Sequence, residues 1–271
     1  MRGSRRPMPK SAERSSRTLV EASVAELSAR AWRLIDGAQA VMADLDGCLA
    51  ADNQPLPGAA EFVARVGARL VVASNNSTHT ATELAALLAS RGLSIAPRQF
   101  VLAGELAVGE VARQWPEARL MLLGSPAMRD AARAAGLRLV SGEPDVVLVA
   151  RALQATVADL QDAVAALHHG ARLVVANPDL SHPGENGLPR IETGALLTLL
   201  RAVLPGLPAQ VVGKPEPTMF RAALAMTGAD AGRAVMLGDN PTTDVAGARR
   251  IGMQTIRLRA AAAPEGPPNT P

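Results

Sequence analysis

The chain is poor in aromatic and sulfhydryl side chains. Its 271 residues include no tyrosine, three phenylalanines, two tryptophans and one cysteine, Cys48. A single cysteine excludes an intramolecular disulfide and favours a reducing compartment, so we expect a cytoplasmic protein. The scarcity of aromatic rings argues against a site for single-stranded nucleic acid, because such sites stack bases on rings.

Long apolar runs and lysine are also scarce. No run approaches the ~20 apolar residues of a membrane-spanning helix, so we expect no membrane contact. The only lysines are Lys10 and Lys214, and arginine supplies the other basic side chains. A lysine behind an apolar run, where this chain otherwise uses arginine, is therefore informative. Its compact ammonium binds phosphate as a point charge, unlike the guanidinium fork.

The ends of the chain differ from its middle. Residues 1–33 carry eight basic and three acidic side chains, whereas the remainder is close to neutral and offers no basic face for nucleic acid. The composition of residues 1–17 and 261–271 predicts a disordered basic tail and a second disordered tail. Apolar residues at helical spacing in residues 18–35 predict an amphipathic helix packed on the core, with a membrane or partner contact as the alternative.

Two aspartates stand directly behind a short apolar run. Ala40–Ala43 is typical of a buried strand, and Asp44-Leu45-Asp46-Gly47 follows it. Because strand side chains alternate, Asp44 and Asp46 project to the same side, at the strand end where open α/β sheets bind ligands. Gly47 lets the chain turn without a Cβ in its path. The pattern suits a nucleophile, a proton shuttle and a metal ion, although it also occurs in calcium loops and surface turns.

Three further apolar runs end in polar residues. Residues 70–73 precede Ser74, Asn75 and Asn76, residues 211–213 precede Lys214, and residues 234–237 precede Asp239 and Asp244. We expect all four runs to converge at one edge of a single parallel sheet. Together they supply carboxylates for a metal ion, hydroxyl and amide donors, and one ammonium, which is the composition of a phosphate site.

The spacing of these motifs predicts a second module. About 30 residues separate Asp44 from Ser74, which leaves room for one helix in a βα unit. About 140 residues separate Ser74 from Lys214, which is the length of a domain. Strand-like and helical patterns alternate within this gap, so we expect an inserted α/β domain.

The four motifs, in this order, resemble those of the haloacid dehalogenase (HAD) superfamily of phosphotransferases. The resemblance implies an α/β fold, with a Rossmann-like core built on a parallel sheet and an inserted α/β type-two cap. The insertion and its Asn177-Pro178-Asp179 segment are similar to subclass IIA, which contains NagD-like, phosphoglycolate and pyridoxal phosphatases. We therefore predict a discontinuous core over residues 18–78 and 207–260 and a cap over residues 79–206.

The resemblance also implies roles for the residues behind the core strands. Asp44 is expected to attack phosphorus and form an aspartyl-phosphate, and Asp46 to act as general acid and base. Mg²⁺ is the implied cofactor, with the Asp44 carboxylate, the Asp46 backbone carbonyl and Asp239 as its ligands. Asp244 is expected to support this site, either through water or as a charge at a helix start.

The remaining motif residues are expected to bind the phosphoryl group. These are Ser74, Asn75, Asn76 and Lys214, with a plain turn as the alternative for the first three. In the cap, the spacing is similar to that of pyridoxal-phosphatase-like members, so His182 is expected to contact the leaving group, with a surface loop histidine as the alternative. Cys48 beside the site is either a reactive thiol or a small residue filling space.

The expected function is Mg²⁺-dependent hydrolysis of small phosphomonoesters, with the cap selecting the substrate. The partner is then a small phosphorylated metabolite. Two alternatives remain: a phosphotransferase that passes the phosphoryl group to an acceptor other than water, and a silent phospho-metabolite binding protein. The intact set of Asp44, Asp46, Lys214 and Asp239 argues against the second, because a binder needs no nucleophile. The resemblance leaves a homodimer formed through the cap as an alternative to a monomer.

Overall fold

The computed structural model describes residues 18–183 and 188–259. Both predicted tails, residues 1–17 and 261–271, lie outside these residues. The strands are β1 (Leu19–Glu21), β2 (Ala40–Ala43), β3 (Ala50–Ala51), β4 (Gln54–Pro55), β5 (Leu70–Ser74), β6 (Phe100–Leu102), β7 (Arg119–Leu123), β8 (Arg138–Leu139), β9 (Val146–Val149), β10 (Arg172–Val175), β11 (Ser181–Pro183), β12 (Pro189–Ile191), β13 (Gln210–Val211), β14 (Ala234–Gly238) and β15 (Gln254–Leu258).

The α-helices lie between these strands in the sequence. They are α1 (Ala29–Gly37), α2 (Ala59–Val66), α3 (Ala81–Ala89), α4 (Ala103–Gln114), α5 (Pro126–Ala134), α6 (Val157–His168), α7 (Thr193–Val203), α8 (Pro217–Thr227) and α9 (Ala246–Arg250), and α4 follows β6 directly. Within the ranges described, none is long and apolar enough to cross a bilayer.

The first sheet has six strands in the order β1-β15-β14-β2-β5-β6, and every neighbouring pair is parallel. Its central strands, β14, β2 and β5, are buried along their whole length and consist almost entirely of apolar residues. Both faces of a parallel sheet are covered by helices, which explains why such strands show no polar alternation. Polar residues enter only where the strands end.

The second sheet has five strands in the order β13-β10-β9-β7-β8, again all parallel. The expected mixed α/β fold with an inserted second module is therefore confirmed. Two antiparallel hairpins complete the strand pairing, one formed by β3 and β4 and the other by β11 and β12. The second hairpin rises from the cap.

Two strands fall in a different sheet from the one expected. The β6 strand, within the range predicted for the cap, pairs with β5 in the first sheet. The β13 strand, within the range predicted for the core, pairs with β10 in the second sheet. The prediction that all four motif strands share a single sheet was therefore wrong for the run before Lys214. Short strands of this kind carry too few residues to reveal their partner by pattern.

The predicted helix over residues 18–35 was also only partly right. Residues 19–21 form the edge strand β1, a short 3₁₀ turn follows, and the helix begins at Ala29. The Ser28 side chain accepts a hydrogen bond from the Ala31 N–H at 3.2 Å and so caps the start of α1. The pairing of β1 with β15 outweighs local helical spacing, because it completes the sheet.

Three apolar clusters hold the layers together. One face of the first sheet packs on α1, α2 and α3. The outer face of the second sheet packs on α6 and α7. Between the two sheets a shared cluster contains Met42 and Met236 of the first sheet, Leu148 of the second, and Phe220 of α8. Core and cap are therefore joined by continuous apolar packing.

This shared cluster predicts cooperative unfolding of core and cap. Replacing the fully buried Phe220 by alanine is expected to lower the free energy of unfolding by about 3–5 kcal/mol, because it removes apolar contacts and leaves a cavity. The control is Met226→Ala on the exposed face of the same helix, which should change it by about 0.5 kcal/mol or less. Scanning calorimetry should show one transition in both variants; separate core and cap transitions would contradict this reading.

Candidate active site

Three strand ends of the first sheet and one of the second meet at a single cleft. Asp44 follows β2, Ser74 ends β5 and Asp239 follows β14, so these three come from neighbouring strands. Lys214 follows β13 and approaches the same point from the second sheet. The expected convergence at one edge is thus achieved by two sheets that face each other.

Lys214 lies at the centre of this arrangement. Its side chain is 2% exposed, and Nζ is 2.7 Å from Asp44 Oδ1 and 2.7 Å from Asp244 Oδ1. Burial works to lower the pKa of Lys214, but the carboxylates of Asp244 and Asp44 outweigh burial and raise the pKa above its ordinary value. The side chain is therefore a permanent buried cation.

The carboxylates around Lys214 carry more negative charge than its ammonium can balance. Oxygen atoms of Asp44, Asp239 and Asp244 all lie within 4.8 Å of one another. Burial, together with Asp244, raises the pKa of both Asp44 and Asp239. Three carboxylates face one ammonium, so the fully ionised cluster carries two uncompensated negative charges. Such a cluster is stabilised by a divalent cation, which would favour its ionised form.

Two glycines allow the carboxylates to approach the strands. Gly47 has a φ of +76°, and a Cβ there would collide with the Asp239 carboxylate. A Cβ on Gly238 would collide with the carboxylate of Asp244. The space that a side chain would fill is thus occupied by acidic groups on both sides of the cluster.

Asp244 is more deeply involved than expected. It lies in a π-helical turn, Pro241–Val245, and is fully buried. Its Oδ2 accepts the Asn240 N–H at 3.1 Å, and Oδ1 is the atom that contacts Lys214. The Asp244 side chain thus contacts the lysine directly. It also joins a cluster of carboxylates in which we expected only Asp44 and Asp239. Among the described residues, Oδ1 accepts no further hydrogen bond.

Asp46 lines the same cleft, and the charged groups that influence it include His182 and Glu192 of the cap. Burial between core and cap raises the pKa of Asp46 to about 6, and His182 is the strongest influence in the other direction. The side chain is nevertheless accessible from the cleft, so water there moderates the effect of burial. Asp46 lies outside the carboxylate cluster, and a metal contact through its backbone carbonyl stays a prediction.

Ser74, the last residue of β5, lines the cleft with its side chain. Its Oγ is buried and accepts the Asn76 N–H at 3.1 Å, which leaves its own hydrogen available to a ligand. Asn76 Oδ1 accepts the N–H groups of Thr78 and His79, both at 3.0 Å, in a local turn. The Asn76 side-chain oxygen thus belongs to a local turn, and a contact of Asn76 with phosphate stays a prediction.

Asn75 contacts protein groups where a phosphate contact was expected. Its Oδ1 accepts the Lys214 N–H at 2.8 Å, and its Nδ2 donates to the Lys214 carbonyl at 3.1 Å and to Asp179 Oδ2 at 2.9 Å. The amide therefore grips both backbone groups of Lys214. Its side chain positions the ammonium, and a phosphate contact would have to come from its backbone.

His182 lies on the cleft side of the cap hairpin. Its Nδ1 is 2.7 Å from Glu192 Oε1, and the same oxygen is 3.2 Å from Arg151 Nε. Neither Glu192 nor Arg151 was anticipated from the sequence. Each follows a cap strand as a single charged residue, a signal that resembles any strand end on a surface. Only the tertiary structure brings them together.

A buried polar network joins core and cap beside the cleft. Asn177 Nδ2 donates to the Asn75 carbonyl at 2.7 Å. Ser77 Oγ lies 3.1 Å from Thr193 Oγ1 and accepts the Arg151 N–H at 3.0 Å. Buried polar groups that satisfy one another in this way specify a single relative placement of the two modules.

The cleft has a volume of about 440 Å³, and most of the residues that line it are polar. The lining residues are Asp44, Asp46, Asp52, Asn53, Ser74, Asn75, Asn76, Ser77, Thr78, His79, Arg151, Leu153, Asp179, Ser181, His182, Arg190, Glu192, Lys214, Asp239, Asn240 and Thr243. No aromatic ring other than histidine occurs in this lining. Cys48 is buried nearby, and burial raises the pKa of its thiol, which favours the space-filling interpretation over a reactive thiol.

Comparisons with known proteins agree with this geometry. A family model for haloacid dehalogenase-like hydrolases matches residues 41–138, and a HAD-hydrolase-like model matches residues 211–261. The dihydroxyacetone phosphatase of Corynebacterium glutamicum is 29% identical over 223 residues, which span 81% of this chain and 80% of that protein.

Solved structures show the same likeness. The glycerol phosphate phosphatase of Mycobacterium tuberculosis, in complex with magnesium, is 30% identical with a TM-score of 0.76, and the match covers 83% of this chain and 68% of that one. NagD from E. coli K-12 is 27% identical with a TM-score of 0.75, covering 86% and 94%.

The Gly47 contact predicts that a methyl group there impairs the site without removing any polar atom. In Gly47→Ala the new Cβ meets the Asp239 carboxylate, so we expect weaker binding of divalent cations and about 10²-fold lower kcat. The control is Gly136→Ala, which has a φ of +80° and no neighbour within 4 Å. Both variants carry similar backbone strain of about 1–2 kcal/mol, so an equal loss of activity in both would refute the role of this contact.

Proposed function

The chain is a phosphatase that belongs to the haloacid dehalogenase-like hydrolase family, and we propose that it hydrolyses small phosphomonoesters with Mg²⁺ through an aspartyl-phosphate on Asp44. The observation that carries this proposal is the contact of Lys214 with both Asp44 and Asp244 inside a group of buried carboxylates. A fixed cation next to a carboxylate nucleophile is what phosphoryl transfer requires, because negative charge accumulates on the phosphoryl oxygens.

The hydrogen bonds of Asp44 support its role as nucleophile. Oδ1 lies 2.7 Å from Lys214 Nζ and accepts the Leu45 N–H at 2.7 Å. These contacts fix the carboxylate plane and leave Oδ2 as the oxygen for attack on phosphorus. Ser74 Oγ and the Lys214 ammonium then bind phosphoryl oxygens, while the leaving group extends toward the cap.

Asp44, Asp239 and Asp244 supply a donor set that fits a divalent cation. Carboxylate oxygens suit Mg²⁺, and the charge excess of the cluster matches a dication. When bound, Mg²⁺ would supply positive charge that neutralises the phosphoryl group and the cluster. We infer that Asp46 donates a proton to the leaving oxygen and later accepts one from water, because it lines the cleft with Asp44 and burial raises the pKa of its carboxyl above the ordinary range.

The lining of the cleft favours polyol or sugar phosphates as substrates. Its cap side offers hydrogen-bonding groups such as Ser181 and His182, and its apolar contribution from the cap is Leu153. An aromatic leaving group finds no phenyl, phenol or indole ring to stack on within this lining. Relatives named dihydroxyacetone phosphatase and glycerol phosphate phosphatase add support for small hydroxylated substrates.

Loss of the nucleophile is the direct test of this function. We expect the wild-type chain to release phosphate from glycerol phosphate with Mg²⁺ and to lose this activity in EDTA. Asp44→Asn should lower kcat at least about 10⁴-fold, because an amide cannot attack phosphorus. Product analysis with p-nitrophenyl phosphate as donor and glycerol as added acceptor distinguishes hydrolysis from transfer, because transfer would produce glycerol phosphate. Equal release by Asp44→Asn, or none by the wild type with any ester, would defeat the proposal.

The role of Asp46 as general acid predicts dependence on the leaving group. Asp46→Asn should lower kcat for glycerol phosphate by about 10²–10⁴-fold, since an alkoxide leaves poorly without a proton. With p-nitrophenyl phosphate, whose phenolate leaves unprotonated, the loss in the phosphorylation step should be much smaller. Single-turnover phosphate transfer to the enzyme isolates that step. Equal losses for the two esters would exclude proton donation by Asp46.

A further inference from the structure

Glu192 connects several parts of the cap beside the cleft. Its Oε1 lies 2.7 Å from His182 Nδ1 and 3.2 Å from Arg151 Nε. Its Oε2 accepts the Thr193 N–H at the start of α7 at 3.4 Å, and its backbone N–H donates to the Leu180 carbonyl at 3.0 Å. The Glu192 side chain is 13% exposed and that of His182 is 29% exposed, so the carboxylate is enclosed while the imidazole remains accessible.

The contact with Nδ1 determines what the other ring nitrogen can bind. An ionised carboxylate only accepts hydrogen bonds, so Nδ1 carries the proton in this pair. In the neutral imidazole, Nε2 is then an acceptor. Its ligand must supply a hydrogen, as a hydroxyl does and a carboxylate does not. Arg151 Nε contacts the same Glu192 oxygen, so the carboxylate has a cationic partner even when the imidazole is neutral.

The location of His182 places this acceptor on the leaving-group side of the site. His182 and Asp46 line the same cleft. Asp46 is the group that we infer to protonate the leaving oxygen. A hydroxyl near that oxygen would therefore occupy the same cleft as the His182 ring.

On the basis of the proposed phosphatase function, we propose that Glu192 is a positioning residue that holds His182 protonated at Nδ1, so that Nε2 accepts a hydrogen bond from a hydroxyl of the leaving group. Glu192 thereby selects polyol phosphates over phosphorylated carboxylic acids and over esters without a hydroxyl. Glu192 itself does not touch the substrate.

A double-mutant cycle tests this indirect action. We expect Glu192→Ala to raise KM for glycerol phosphate about tenfold, equivalent to about 1.4 kcal/mol, while kcat changes little. KM for p-nitrophenyl phosphate, which offers no hydroxyl, should change less than about twofold. In a His182→Ala background, Glu192→Ala should have no further effect, because its action passes through the imidazole. Additive losses, or equal losses for both esters, would overturn the proposal.

The tautomer of the His182 ring provides a readout that a purely structural role of Glu192 would not change. Long-range ¹H–¹⁵N spectra at pH 8, with the His182 signals assigned by His182→Ala, should show Nδ1 protonated in the wild type. Glu192→Ala should shift the proton to Nε2, whereas Glu192→Gln should preserve the wild-type tautomer and KM, because its amide oxygen still accepts from Nδ1. An Nε2-protonated ring in the wild type would overturn the proposal.

The controls separate specificity from stability and from catalysis. Asp159 accepts the Thr156 N–H at 2.8 Å at the start of α6, so Asp159→Ala removes a similar helix-start contact in the same cap. It should lower Tm without changing KM for either ester. If Asp44→Asn were as active as the wild type, the proposed function would fail, while the tautomer spectra would still decide whether Glu192 orients His182.

Discussion

The Lys214 ammonium, buried at 2.7 Å from both Asp44 and Asp244, is the interaction on which the rest of the cleft depends. Transfer of a charge from water into a protein interior costs several kcal/mol, and only well-placed opposite charges offset this cost. The surrounding structure is arranged to supply them. Asn75 grips the backbone of the lysine, and the π-helical turn of residues 241–245 brings Asp244 to it. Without Asp44 or Asp244, the buried Lys214 ammonium would lose one of its two carboxylate partners.

The same cluster has more negative than positive charge. This excess destabilises the folded state and favours the binding of a cation. Buried carboxylates that repel one another destabilise the folded state until a cation joins them. The apolar clusters on both sides of each sheet provide the stability that makes this arrangement tolerable. Stability and affinity for a divalent ion are therefore coupled, and much of the binding energy comes from relieved repulsion.

The sequence predicted the core strands well, because β2, β5 and β14 are uninterrupted apolar runs that end abruptly in polar residues. It placed Lys214 at the site but in the wrong sheet, since β13 is only two residues long and its partner is set by tertiary contacts. Local spacing also overstated the first helix, where an edge strand forms instead. These failures arise where pairing with a distant segment outweighs the local pattern.

Side-chain roles were harder to predict than strands. Asn75 was expected among the phosphate ligands because it follows a strand end, but nothing in the sequence shows that Lys214 would occupy both ends of its amide. Glu192 carried no signal at all, since its contacts with His182 and Arg151 join separate segments of the cap. The position of β13 has one further consequence. Because Lys214 is carried by the second sheet and Asp44 by the first, the separation of the two charges is a property of how the sheets dock. The way the two sheets dock therefore sets the strength of the attraction between Lys214 and Asp44. Changes in the cap that suit new substrates are constrained, because they must keep Lys214 close enough to hold the nucleophile ionised.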